Sequence, residues 1–169
     1  MDEILNQIQE ALNHKLYLIA LQCCLTLPDI CSALQSDNGK TDSKKYKKWY
    51  KDFCKSSTYL DAKDCYLFRC SMVHQDQTIP SPKPHQHANY DRIFFLYPNP
   101  NIVLHNNIIN GVLNLDLVTF CNDMIASVNL WNKDMIATNN LNYSKNINKL
   151  VTIHQNGISP YIVGVPVIG

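Results

Sequence analysis

The sequence predicts a mainly α protein: a helical bundle with a small antiparallel β-hairpin or sheet inserted before its last long helix. Three observations predict it. Apolar residues recur at helical spacing over about 3–76 and again over 116–137. Between them, residues 92–115 turn to short runs rich in Ile, Val, Phe and Tyr, punctuated by Pro and Asn. The 169 residues contain no internal repeat, no glycine-rich phosphate loop and no dividing linker, so a single domain over 1–169 accounts for the length.

Taken in order, Ile4, Leu5, Ile8, Ala11 and Leu12 share one face of a first helix over 3–13. Residues 15–27 are apolar on nearly all sides, as a central buried helix is. Pro28 removes a backbone donor there and bends or ends the helix. Asp29 then has two readings: it caps a continuation through Ile30, Cys31, Ala33 and Leu34, or it pairs with the guanidinium of Arg69. Ser36-Asp37-Asn38-Gly39 is a stop and turn.

Thr41-Asp42-Ser43 opens the next helix. Tyr46, Trp49, Tyr50 and Phe53 fall at i, i+3, i+4 and i+7, a spacing that suits core packing better than a base-stacking platform. Asp61 caps a further helix whose inner face is Cys65, Phe68 and Met72. Residues 76–91, with Ile79-Pro80-Ser81-Pro82-Lys83-Pro84, form a proline-rich loop. Ile93–Tyr97 reads as a strand, Pro98–Asn101 as a turn, Ile102–His105 as a second strand and Gly111–Leu115 as a third. Asp116 caps the last long helix, with Leu117, Phe120, Cys121, Met124, Ile125, Val128 and Trp131 on one face. Asn and Ser turns follow, and an extended C-terminal tail closes on Ile162–Ile168 as an edge strand or packed extended segment.

Composition narrows the function. Net charge is +1 and the hydrophobic fraction 46%, ordinary for a globular protein. The first residues are acidic (Asp2, Glu3), unlike a signal peptide, and the apolar run Leu16–Leu27 is too short to span a bilayer, so a cytoplasmic protein with no membrane partner is expected. Seven cysteines without a Cys-x-x-Cys pair imply reduced, buried thiols. No cofactor and no metal are expected. His85-x-His87 puts two imidazoles on one side of an extended segment, but local spacing suggests no third ligand. Heavy use of Asn, Lys and Ile matches an AT-rich bacterial or phage genome.

Charge is clustered. Residues 40–55 hold seven lysines against Asp42 and Asp52. A near-neutral chain with one basic face can attract a polyanion, and Lys44, Lys47, Lys48 and Lys51 are the expected RNA-binding residues. Against thirteen lysines there are two arginines, Arg69 and Arg92. Arg69 sits in an apolar segment, where a planar guanidinium keeps its charge and can grip a phosphate or carboxylate with two parallel bonds. His74 follows, able to give or take a proton near neutral pH. Five residues separate the pair by about 140° around a helix, so they converge only if the arginine bends round or the helix loosens.

Arg69-x4-His74 at a helix end resembles the motif of the HEPN superfamily, small helical domains that include many metal-independent ribonucleases of toxin-antitoxin and phage-defence systems. Leu27–Cys31, Lys45–Tyr50 and Asp64–Gln75 look similar, in order, to small stand-alone bacterial members, and together cover roughly residues 16–76. The resemblance implies a homodimer with two such helices facing across a cleft, RNA as substrate, Arg69 and His74 as catalytic residues, Asp29 and Cys70 in support, and in some systems an antitoxin protein as partner. Ribonuclease members usually follow the arginine with a polar residue. Cys70 stands here instead, which points toward the members that bind nucleotide, RNA or protein without cleaving.

Overall fold

The computed structural model describes residues 1–55, 60–75 and 90–169. Six α-helices carry most of them: α1 (Asp2–Asn13), α2 (Tyr17–Leu34), α3 (Ser43–Phe53), α4 (Ala62–Gln75), α5 (Leu117–Ala137) and α6 (Leu141–Asn146). The strands are short: β1 (Arg92–Leu96), β2 (Asn107–Ile109) and β3 (Val112–Asp116), then β4 (Ile153–His154), β5 (Gly157–Ile158), β6 (Ile162–Val163) and β7 (Val167–Ile168).

Helix α2 is the hub. It packs against α1, α3, α4 and α5, and its Ala20, Leu21, Cys24, Leu25, Leu27 and Cys31 are buried. Pro28 does not end it. The helix runs through to Leu34, with Asp29 inside it, so Asp29 is not an N-cap. Proline removes the N–H that would reach the carbonyl of Cys24. In the same turn the Tyr46 hydroxyl, from α3, donates to the Leu25 carbonyl at 3.0 Å. Tertiary bonding thus accompanies the interruption, and the helix continues.

The continuation corrects a second expectation. With 18 residues α2 is long and apolar enough to cross a membrane, but half of it is buried inside the protein, as a core helix is. Its first turn departs from the all-buried pattern, because Leu16, Leu18 and Ile19 face outward.

The aromatic stripe of α3 faces inward as its spacing requires. Tyr46, Trp49 and Tyr50 are buried, and Trp49 meets Trp131 of α5 edge-to-face, with ring centroids 6.1 Å apart. Asp42 caps α3, accepting from the amides of Lys44 and Lys45. Asp61 accepts from Lys63 and Asp64 at the start of α4. Asp116 accepts from Thr119 at the start of α5. In α5, Trp131 donates through Nε1 to Gln35 Oε1 at 2.8 Å, closing the core at the far end of α2.

The β insertion differs from the antiparallel expectation. Strand order is β1-β3-β2; β1 runs parallel to β3, and only β2 is antiparallel to it. Residues Ile102–His105 form no strand, and Ile102 and Val103 are exposed. The reason is the tight turn at Asn110-Gly111, where both residues have positive φ. A two-residue Asn-Gly turn pairs the three residues before it with those after it, which puts the second strand at Asn107–Ile109. Ile93, Leu113 and Leu115 are the buried apolar residues of this sheet, and Asn114 and Asp116 are buried beside them.

After α6, an element the tail was not expected to contain, the chain forms a β arm. Strands β4 and β7 pair antiparallel, as do β5 and β6 nearer the tip, so the segment folds back on itself as a ribbon. Gly157, at φ +81°, lies so close to the Ile162 carbonyl that a Cβ has no room.

Candidate functional site

The site is assembled where α2, α3 and α4 meet. Asp29, one residue past Pro28, and Arg69, two turns into α4, face each other: Arg69 Nε lies 2.7 Å from Asp29 Oδ2, with side chains 17% and 13% exposed. Of the two readings of Asp29, the structure has the ion pair. Burial works against the Arg69 charge. The neighbouring Asp29 and Cys70 outweigh it, and the guanidinium pKa ends above its ordinary value. Arg69 is therefore a fixed cation.

Cys70 belongs to the same cluster. Its thiol and burial together raise the Tyr66 phenol, burial contributing most. Tyr66 in turn stacks edge-on against Tyr46, and the Lys47 ammonium sits 5.7 Å from the Tyr66 ring centroid. A chain of contacts thus runs from a lysine of α3, across an aromatic ring, to the arginine of α4.

From Lys47 a groove of about 780 Å³ opens along the surface between α3 and the first turn of α4. Lys47, Lys48, Lys51, Lys55 and Lys63 line it, with Tyr50 and Leu60 at its base. Its two acids are already engaged: Asp52 pairs with Lys48 at 2.6 Å, and Asp61 caps α4. The groove keeps a net positive character suited to a polyanion. Three of the four expected RNA-binding lysines are here. Lys44 is not; it is exposed in the first turn of α3 and does not line the groove. Lys55 and Lys63 were missed. Lys55 belongs to the same lysine run, and Lys63 lies three residues before Tyr66 on α4, a spacing that already marks a shared face.

His74 lies in the last turn of α4, which stays helical through Gln75. The helix does not loosen between Arg69 and His74, so their backbone positions remain about 140° apart. The His74 side chain and the His85-x-His87 pair lie outside the described residues.

Behind the site, the Tyr90 hydroxyl donates to Asp64 Oδ2 at 2.5 Å, tying the approach to β1 back onto α4. Burial and the Asp64 carboxylate hold that phenol well above its usual range, so it is a neutral donor. A second cluster, Cys54, His105 and Asp123, surrounds a space of about 10 Å³, room for one water. Burial pushes the Cys54 thiol far up, which makes it an inert protonated thiol and not a nucleophile. Among the described residues no three His, Cys, Asp or Glu side chains gather as a metal site.

Comparison with known proteins finds no match: no family model, no curated protein and no solved structure resembles this chain closely enough to assign it.

Proposed function

We propose that the protein acts on RNA as a metal-independent endoribonuclease of HEPN type. The observation that carries the reading is the lysine groove, whose Lys47 lies over the ring of Tyr66, three residues before the partly buried cation Arg69 on α4. A single strand tracks such a groove by phosphate contacts, and an aromatic ring beside it can take a base. In the reaction, His74 of this chain or of a second copy takes the proton of a ribose 2′-hydroxyl. The 2′-oxygen bonds to phosphorus, the bond to the 5′-oxygen breaks, and that oxygen leaves as a hydroxyl after gaining a proton. Arg69 stabilises the charge that grows on the phosphate oxygens. The products are a 2′,3′-cyclic phosphate and a 5′-hydroxyl end. DNA, lacking the nucleophile, resists.

One observation favours a second reading, RNA binding without cleavage. Asp29 already faces Arg69, and Cys70 replaces the usual polar neighbour. Incubation of synthetic single-stranded RNA with the protein in EDTA separates the two. Cleavage that is lost in Arg69→Ala and His74→Ala, with the fold kept, supports the nuclease; these groups are worth about 10²–10⁴-fold in rate. Retention of intact RNA in a salt-sensitive complex supports the binding protein. Absence of both activities removes the RNA reading.

A further inference from the structure

The β arm and the sheet leave two surfaces of matching kind. The arm, residues 151–169, pairs with itself and makes no extended packing against any helix or the three-stranded sheet among the described residues. None of its side chains joins the hydrophobic core. Yet it is apolar: Val151, Ile153, Tyr161, Ile162, Val163, Val165 and Ile168 are all exposed, Tyr161 to 85%. A lone two-stranded ribbon is marginal in water, and its outer edges offer unpaired backbone groups.

On the body, β1 is an edge strand whose one partner among the described residues is β3. Beside it runs an apolar groove of about 430 Å³. Leu18 and Leu21 of α2, Phe68 and Met72 of α4, and Phe94 and Tyr97 line it. Leu18, Phe94 and Tyr97 are exposed at its mouth, Tyr97 to 69%. Among the described residues the groove has no charged lining residue, unlike the lysine groove on the α3 side.

We infer that the occupant of this groove is the β arm of a second copy of the chain, each copy donating its arm to the other. The described residues carry both halves of the contact, an apolar ribbon and an apolar groove beside an edge strand. A reciprocal exchange then closes with two-fold symmetry. The area is sufficient. Successive strand residues face opposite sides, so about half of the seven side chains, at on the order of 100 Å² each, meet the groove. Because the exchange is reciprocal, each copy also buries its own groove lining, and the sum approaches the roughly 800 Å² that one partner brings to a stable interface. This assembly does not depend on whether the chain cleaves RNA.

The test is sedimentation of the full chain between about 1 and 100 μM, with three variants. Wild type is expected to be dimeric in this range. Tyr161→Asp on the arm, and Leu18→Asp or Tyr97→Asp in the groove, should each weaken the dimer at least about tenfold while circular dichroism and thermal unfolding of the monomer stay the same. Leu18 and Tyr97 lie on different elements, so if one variant fails to fold the other still reports. Mixing the arm variant with a groove variant should restore dimer, because one intact arm then meets one intact groove. A monomeric wild type, through intramolecular docking or an arm reserved for another protein, overturns the inference. So does a dimer that survives both classes of variant, or a mixture that fails to re-form one.

Discussion

In the helical body Leu25, Trp49, Cys65 and Trp131 are buried among one another, whereas in the β arm Tyr161, Val163 and Ile168 face outward. Both regions are rich in apolar residues. What differs is what each can lay them against. A helix gathers its apolar residues into a stripe that a neighbouring helix covers within the same chain. A two-stranded ribbon has two faces and two edges and brings no covering layer of its own. Apolar content alone therefore does not say what is core; the number of layers does.

The comparison breaks most sharply on Trp131→Ala. Removing a buried indole that packs on Trp49 and bonds Gln35 should cost about 4 kcal/mol in urea unfolding. A loss below about 1 kcal/mol would mean the body is not packed around α2 and α5 as described.

The ion pair sharpens it next. Arg69→Ala leaves Asp29 partly buried without its cation and should cost about 3 kcal/mol. The double variant Asp29→Leu with Arg69→Met should recover much of that loss while remaining inactive on RNA. If it recovers stability and activity together, Arg69 has no role in the chemistry.

A smaller effect is expected at the junction of sheet and body. Asp116→Ala removes the cap from Thr119 and should cost about 1 kcal/mol, with Asp116→Asn nearer neutral. Equal losses in the two variants would remove the capping role.

The surface lysines divide by position and not by charge alone. Lys51→Gln, Lys55→Gln and Lys63→Gln together should flatten the salt dependence of RNA binding by roughly two in log–log slope, at about 0.7 per phosphate contact. Lys44→Gln, outside the groove, should leave the slope where it is. The same flattening from Lys44 alone would show a diffuse basic face in place of a groove.

The smallest effect expected is on pH. Asp42 is held below its ordinary value of 3.8, chiefly by the Lys45 amide and then by that of Lys44. Its folded pKa is the lower one, so its contribution is present above the unfolded value and fades as the pH falls through the folded one. Asp42→Asn should therefore reduce the acid-side slope of stability against pH below about 4. An unchanged slope would mean that the cap does not act through its charge.

Much of the body was legible in the residues. The α3 stripe, the caps at Asp42, Asp61 and Asp116, and the inner faces of α4 and α5 follow from helical periodicity and capping chemistry, both local properties. The sheet was legible only in part. β-branched runs announced strands, but Asn110-Gly111 is the stronger signal and fixes β2 at Asn107–Ile109, whereas the parallel pairing of β1 with β3 is a long-range choice that no local signal carries.

By itself the sequence determined where helices begin and which of their faces are apolar, because those depend on residues within a turn or two of each other. It also determined that positive charge gathers on α3 and that a lone arginine lies in an apolar stretch of α4. Only the tertiary structure showed that α2 passes through Pro28, in a turn that Tyr46 bonds at Leu25 from twenty-one residues away in sequence. Only tertiary structure chose the partner of Asp29, as the ion pair links residues forty apart and a capping carboxylate and a paired one look alike in sequence. It likewise divided the lysines, bringing Lys63 to the groove and leaving Lys44 outside. Contacts between distant segments are set by how packed faces meet, and that information is shared between segments and not held in either one.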